Sequence, residues 1–241
     1  MENLITINID GKDVKAEKGS NLLPVLSKMG IFIPTLCTHD QIKPYGVCRL
    51  CIVEWVRGEG WTKIVTSCNF PVKDGQKFLT NSEKVRRERQ MIMELILARS
   101  SNVPEVVELA KRLGVTEPRF PKDEEGCILC GLCIKACEEV VGVSAIGFQS
   151  RGPNRSVVSP FDDEAHRCIG CGSCVYVCPT NYIKMEEKDH VRKIPLWHVE
   201  FKMQKCKTCG QDIAPEKQLR YIRRKADLPE NFFDNCLNCR P

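Results

Sequence analysis

Cys127-Ile-Leu-Cys130-Gly-Leu-Cys133-Ile-Lys-Ala-Cys137, and then Cys168-Ile-Gly-Cys171-Gly-Ser-Cys174-Val-Tyr-Val-Cys178-Pro179, are two copies of one phrase, C-x2-C-x2-C-x3-C. Three thiolates two residues apart can wrap one face of an iron–sulfur cubane, whereas the fourth lies about a helical turn further on and points away. Gly131, Gly170 and Gly172 sit between the cysteines, where a missing Cβ permits positive φ and lets backbone N–H groups approach inorganic sulfide. Pro179 blocks an ordinary continuation of the second phrase. Eight cysteines in a repeated register speak against chance runs or zinc.

The spacing resembles that of two-cluster bacterial ferredoxins, in which the fourth cysteine of each phrase ligates the other cubane. The resemblance implies one [4Fe–4S] cluster on Cys127, Cys130, Cys133 and Cys178, and a second on Cys137, Cys168, Cys171 and Cys174.

The 241 residues suffice for two or three small modules, none with room for a large core, so bound metal should supply part of the stability. Sixteen cysteines without an apolar signal region after Met1 argue against a disulfide framework and for a reducing, cytoplasmic setting. No apolar run approaches bilayer-spanning length. The formal charge of +5 counts every thiol as neutral. Each four-thiolate iron–sulfur or zinc site carries about −2, and four such sites would bring the chain to roughly −3. Net charge therefore gives no argument for nucleic-acid binding.

Residues 1–80 read as a small β-rich domain. Leu4–Asp10 alternates, Gly11-Lys12 turns, Val14–Glu17 returns, and Ser20 is a plausible cap for a short helix ended by Gly30. Cys51–Val56 and Thr62–Cys68 read as further strands, and the pattern suits a β-grasp fold. Cys37, Cys48, Cys51 and Cys68 give C-x10-C-x2-C-x16-C, four thiolates for a [2Fe–2S] cluster, two per iron. The first gap exceeds that of plant-type ferredoxins, and Pro44 and Gly46 fit a wider loop. Zinc is the competing occupant, disfavoured because the last two ligands lack a second C-x2-C knuckle. His39 is read as a solvated loop residue.

A [2Fe–2S] domain with this cysteine pattern, a helical stretch and then a two-cubane module resembles the N-terminal region of the large iron–sulfur chain of respiratory complex I. It is still more similar to the diaphorase iron–sulfur subunit (HoxU-type) of NAD-linked bidirectional hydrogenases. Cys127–Phe148 and Cys168–Thr180 carry the likeness, which spans roughly residues 1–190. One departure is plain: many relatives hold a further cubane by one histidine and three cysteines, and Leu97–Phe120 contains neither residue type. Residues 81–119 read instead as a helical connector, one helix capped by Asn81 or Ser82 and running to about Arg99, another over Val103–Leu113 stopped by Gly114. Glu83–Arg89 reads as a solvated charged face. Met91–Ala98 is apolar on nearly every face, which predicts burial in the chain or against a partner, the former being the simpler account.

Residues 120–192 hold the two-cubane module, with a hairpin or extended loop over Gly147–Pro160. Residues 193–241 read as a separate small module, zinc-ribbon-like, with Cys206, Cys209, Cys236 and Cys239 as two C-x2-C knuckles. Zinc and a further [4Fe–4S] cluster both remain open for it. Pro215–Arg224 reads as a short helix, and Arg223-Arg224-Lys225 as a solvated basic end rather than a nucleic-acid contact. The expected fold class is thus α+β multidomain.

All sixteen cysteines are thereby assigned. No G-x-G-x-x-G, P-loop or nucleophile arrangement stands out. The resemblance implies an electron-transfer subunit of a multi-subunit oxidoreductase, relaying single electrons between a flavin-bearing NAD(P)H-oxidising partner and a terminal enzyme such as a hydrogenase or formate dehydrogenase. A free polyferredoxin shuttle, or an iron–sulfur regulatory protein, are the alternatives.

Overall fold

The computed structural model describes residues 3–58 and 60–240. The chain divides into two compact units, Met1–Cys130 and Gly131–Pro241, a division that falls inside the first cysteine phrase.

The first unit begins with strands β1 (Leu4–Ile9) and β2 (Lys12–Glu17), paired antiparallel around the Asp10-Gly11 turn. Period-two patterning sends Ile5, Ile7 and Ile9 of β1 to one face, and all three are buried. Helix α1 (Leu22–Lys28) contributes Leu22, Val25 and Leu26 to the same core. Its N-cap is Asn21, with no side-chain cap bond; Ser20, expected there, donates its hydroxyl to the Glu17 carbonyl at 2.8 Å instead. Gly30 follows the helix at φ +72°, as a left-handed stop requires.

Strands β3 (Ile52–Val56) and β4 (Thr62–Thr66) form a hairpin, and β5 (Lys77–Leu79) runs parallel to β1 and antiparallel to β3. The sheet order is β2-β1-β5-β3-β4. Asp10 fixes the β5 end by accepting from Thr80 N at 2.8 Å and Thr80 Oγ1 at 2.6 Å.

Helix α2 (Glu83–Arg99) starts at Ser82, whose Oγ accepts from Val85 N. Helix α3 (Pro104–Arg112) opens with proline at its first position and is followed by Gly114 at φ +75°. The apolar run in α2 is only half buried: Met93, Leu97 and Ala98 face inward, whereas Met91 and Leu95 are 40% and 52% exposed. The expected solvated face also needs correction, because Arg89 is 6% exposed. Spacing explains it, since Arg89 lies four residues after Val85 and four before Met93, on the buried stripe.

In the second unit, α4 (Leu132–Lys135) runs into a wide turn over Ala136–Val141, and β6 (Gly147–Gln149) pairs with β7 (Ser156–Val158) across the Gly152–Asn154 turn. Helix α5 (Ser173–Tyr176) carries Cys174 of the second phrase. Strands β8 (Glu186–Lys188), β9 (Val191–Ile194), β10 (Val199–Lys205) and β11 (Asp212–Pro215) form one sheet in the order β11-β10-β9-β8, against which α6 (Glu216–Lys225) packs. The boundary expected at 192/193 therefore falls inside a strand. Ile194, Trp197, Val199 and Phe201 share one buried cluster with Cys133, Ile146, Ala165 and Ile183, so the segment after the second phrase supplies core to the residues before it. The basic end of α6 is solvated at Arg224 and Lys225, as expected, while Arg223 donates to the Glu230 carbonyl at 2.7 Å and Lys225 to the Val141 carbonyl at 3.2 Å.

Candidate iron–sulfur and metal centres

In the first unit Cys37, Cys48, Cys51 and Cys68 are all buried. The loop that follows Cys37 brings the Cys48 N–H to 3.3 Å from Cys37 Sγ. Ser67 N and Oγ both donate to the Cys51 carbonyl, at 3.0 and 2.8 Å, which holds Cys68 beside Cys51 despite sixteen intervening residues. The thiols fall into two pairs. The Cys48 thiol, helped by backbone N–H groups, pulls Cys37 down to about 6, and the Cys68 thiol pulls Cys51 down to about 7. Cys48 and Cys68, the donors, are pushed up. Two pairs of closely set thiols suit a cluster that needs two thiolates per iron.

Cys127 and Cys130 end this unit. Arg99 Nε donates to the Cys127 carbonyl at 2.8 Å, and the Tyr45 hydroxyl donates to the Cys130 carbonyl. Neither partner was foreseeable from spacing. Cys133 and Cys178 lie in the second unit, in or against its main core cluster.

Cys137, Cys168, Cys171 and Cys174 line one apolar pocket of the second unit, closed by Val143, Ile146, Ile169 and Trp197 among others. Ala145 N–H points at Cys137 Sγ from 3.2 Å and Gly170 N–H at Cys168 Sγ from 3.4 Å. Gly170 has φ +72° and Gly172 φ +76°, the conformation that the sequence reading requires of them. Burial pushes Cys137 and Cys168 up, and Cys174 up to about 12. Thiolates here need a cation to offset their desolvation, and iron is such a cation. Trp197, 1% exposed, donates its indole N–H to Cys174 Sγ at 3.4 Å. Sequence reasoning missed it, because nothing in a lone tryptophan 23 residues downstream announces a sulfur partner.

Cys206, Cys209, Cys236 and Cys239 converge with all four sulfurs within 4.8 Å of one another, a group that can hold a metal ion. Cys209 and Cys236 Sγ are 3.8 Å apart. Cys206 follows β10 directly, and the Cys236 N–H points at its sulfur from 3.3 Å. Backbone N–H groups of Cys209 and Cys236 hold Cys206 down at about 6, whereas hydrogen bonds to the Cys236 and Cys209 sulfurs raise Cys239 to about 12. Lys207 clamps the second knuckle to the first: its N–H donates to the Asp234 carbonyl at 2.8 Å and its Nζ pairs with Asp234 Oδ2 at 2.6 Å.

Fold and thiol arrangement together define an iron–sulfur electron-transfer protein. Residues 2–83 match a 2Fe-2S iron-sulfur cluster binding domain, and residues 122–185 and 167–214 each match a 4Fe-4S dicluster domain, the last two sharing the second cysteine phrase. The chain is similar in sequence to subunits of NADPH- and NADH-linked oxidoreductases. It is 35% identical over 203 residues to the alpha subunit of the NADPH-Fe(3+) oxidoreductase of Geobacter sulfurreducens, covering 73% of this chain and 24% of that protein. It is 29% identical over 203 residues to a subunit of the NADH-quinone oxidoreductase of Rhizobium meliloti, covering 73% and 23%. The crystal structure of an NAD+-reducing [NiFe]-hydrogenase in the H2-reduced state superposes with a TM-score of 0.54 at 25% identity, over 64% of this chain and 74% of that one. The chain thus spans about a quarter of the length of these two curated relatives. Among the described residues, no helix is long and apolar enough to cross a membrane.

Proposed function

We propose that this chain is the electron-relay subunit of a multi-subunit oxidoreductase, passing single electrons between a flavin-bearing NAD(P)H-oxidising partner and a terminal redox enzyme such as a hydrogenase. Cys37, Cys48, Cys51 and Cys68 hold a [2Fe–2S] cluster in a β-grasp domain, with Cys37 and Cys48 on one iron and Cys51 and Cys68 on the other. One cubane takes Cys127, Cys130, Cys133 and Cys178, and the other Cys137, Cys168, Cys171 and Cys174. The working compartment is reducing and cytoplasmic.

The observation that carries this reading is the pair of thiol groups complete within single units: four buried thiols in two facing pairs, and four thiols around one apolar pocket. When bound, the clusters supply one-electron carriage. The chain's own residues hold them, strip them of water and aim N–H groups at their sulfurs, the features that set cluster potentials.

The C-terminal group is a zinc site in a zinc-ribbon-like module. Tetrahedral Zn–S bonds of about 2.3 Å place neighbouring sulfurs about 3.8 Å apart, which agrees with the 3.8 Å between Cys209 and Cys236. Thiolates of a cubane bind four separate irons and stand further apart than thiolates that share one ion.

Anaerobic affinity purification from the native host, with partner identification and metal analysis, tests the whole reading. The expected result is co-purification with a flavoprotein, about ten irons per chain and one zinc. A colourless, iron-free chain, or one that purifies alone with full iron, sinks the relay-subunit assignment.

A further inference from the structure

Helix α2 buries a charge that no carboxylate among the described residues balances. Arg89 is 6% exposed, and its Nη2 donates to the Ile52 carbonyl at 2.6 Å. Its Nε is buried without a hydrogen-bond partner, and among the described residues no acidic side chain pairs with it. A desolvated, unpaired guanidinium is strongly unfavourable, so a buried arginine implies a counter-charge. Burial lowers its pKa to about 10, which leaves it charged at neutral pH, and Cys51 opposes that lowering. Cys51 is the residue next to Ile52 and is fully buried. The anion that Arg89 lacks is therefore on the side where the [2Fe–2S] ligand lies.

We propose that Arg89 is the internal counter-charge of the [2Fe–2S] cluster, fastening helix α2 to the cluster's β-sheet domain and raising the cluster's potential. The inference rests on Cys51 being a cluster ligand, as proposed above. Reduction adds one electron and no proton, taking the four-thiolate cluster from about −2 to about −3. A fixed cation nearby stabilises the more negative state more strongly, and the low local dielectric amplifies the difference. The same attraction works in the other direction: without the cluster, Arg89 is an unpaired buried charge, and the docking of α2 weakens.

The test uses the full chain with its clusters loaded anaerobically, comparing wild type with Arg89→Met, which keeps the stem, and Arg89→Lys, which keeps the charge. Dithionite titrations followed by electron paramagnetic resonance give each cluster's potential. Arg89→Met should weaken the one-electron reduction equilibrium of the [2Fe–2S] cluster at least tenfold, about 59 mV, with both cubanes unshifted. Arg89→Lys should stay within threefold of wild type. An unshifted [2Fe–2S] potential in an iron-replete Arg89→Met protein overturns the proposal while leaving the ligand assignment intact. A wild-type protein with no [2Fe–2S] signal sinks both. Should Arg89→Met fail to assemble, hydrogen exchange in wild type decides: α2 amides should exchange at least tenfold faster in cluster-free than in loaded protein, and equal rates refute the coupling.

Discussion

Trp197 and Gly170 approach the thiols of the Cys137–Cys174 pocket by opposite means, one adding a group and one leaving it out. Trp197 places an N–H 3.4 Å from Cys174 Sγ in an apolar pocket. A hydrogen bond to a thiolate favours the reduced, more negative cluster. Trp197→Phe keeps the ring and removes the donor, so it should retain full iron and lower the midpoint potential of one cubane only, read by redox titration. An equal shift in all three clusters would point to a general disturbance instead. Gly170 works by absence: at φ +72°, a Cβ there would stand 2.6 Å from the Phe201 ring. The strand segment that follows the phrase thus lies against its backbone, and Arg192 secures it by donating to the Gly170 carbonyl at 2.7 Å.

Helix α2 is tied at both ends to other parts of the first unit. Its start is set by one hydroxyl with two tasks: Ser82 Oγ accepts from Val85 N at 3.3 Å and donates to Glu54 Oε2 at 2.6 Å. Glu54 is buried in β3, and the Ser82 hydroxyl, followed by that of Thr62, holds its carboxyl below the usual range. Ser82→Ala therefore removes a helix cap and strips a buried carboxylate of its main donor. The expected loss is about 1–2 kcal/mol, measurable by urea denaturation of loaded protein at neutral pH; no loss would mean that Thr62 alone satisfies Glu54. At its other end the helix holds the start of the first cysteine phrase, with Arg99 donating to the Cys127 carbonyl. The sequence shows this helix plainly, from its cap to Arg99. It does not show that Arg89 turns inward, because local patterning assigns charges to solvent by default and only the sheet behind the helix reverses that.

For the whole molecule, metal and fold are linked at the chain's far end as well. The Cys206–Cys209 and Cys236–Cys239 knuckles are joined by the Lys207–Asp234 clamp, a Thr208–Asn235 hydrogen bond at 3.0 Å and a few backbone bonds, with Cys209 exposed. The bound ion should therefore supply much of the order there. A zinc-selective chelator should release one metal per chain, open 206–239 to protease and leave iron content unchanged. Loss of iron in step with protease sensitivity would instead identify that site as another cubane.

Spacing along the chain determines which neighbouring thiols pair, because C-x2-C places two sulfurs within reach whatever surrounds them. That is why the C-terminal C-x2-C knuckles, the helices after Ser82 and Val103 and the Gly152–Asn154 turn could be read directly. Tertiary structure alone decided what surrounds the sulfurs. Arg89 reaches Ile52, Tyr45 reaches Cys130 and Trp197 reaches Cys174 through sheet order and core packing. A hydrogen bond or buried charge between residues distant in sequence leaves no periodicity to read; it exists only once the chain between them has closed.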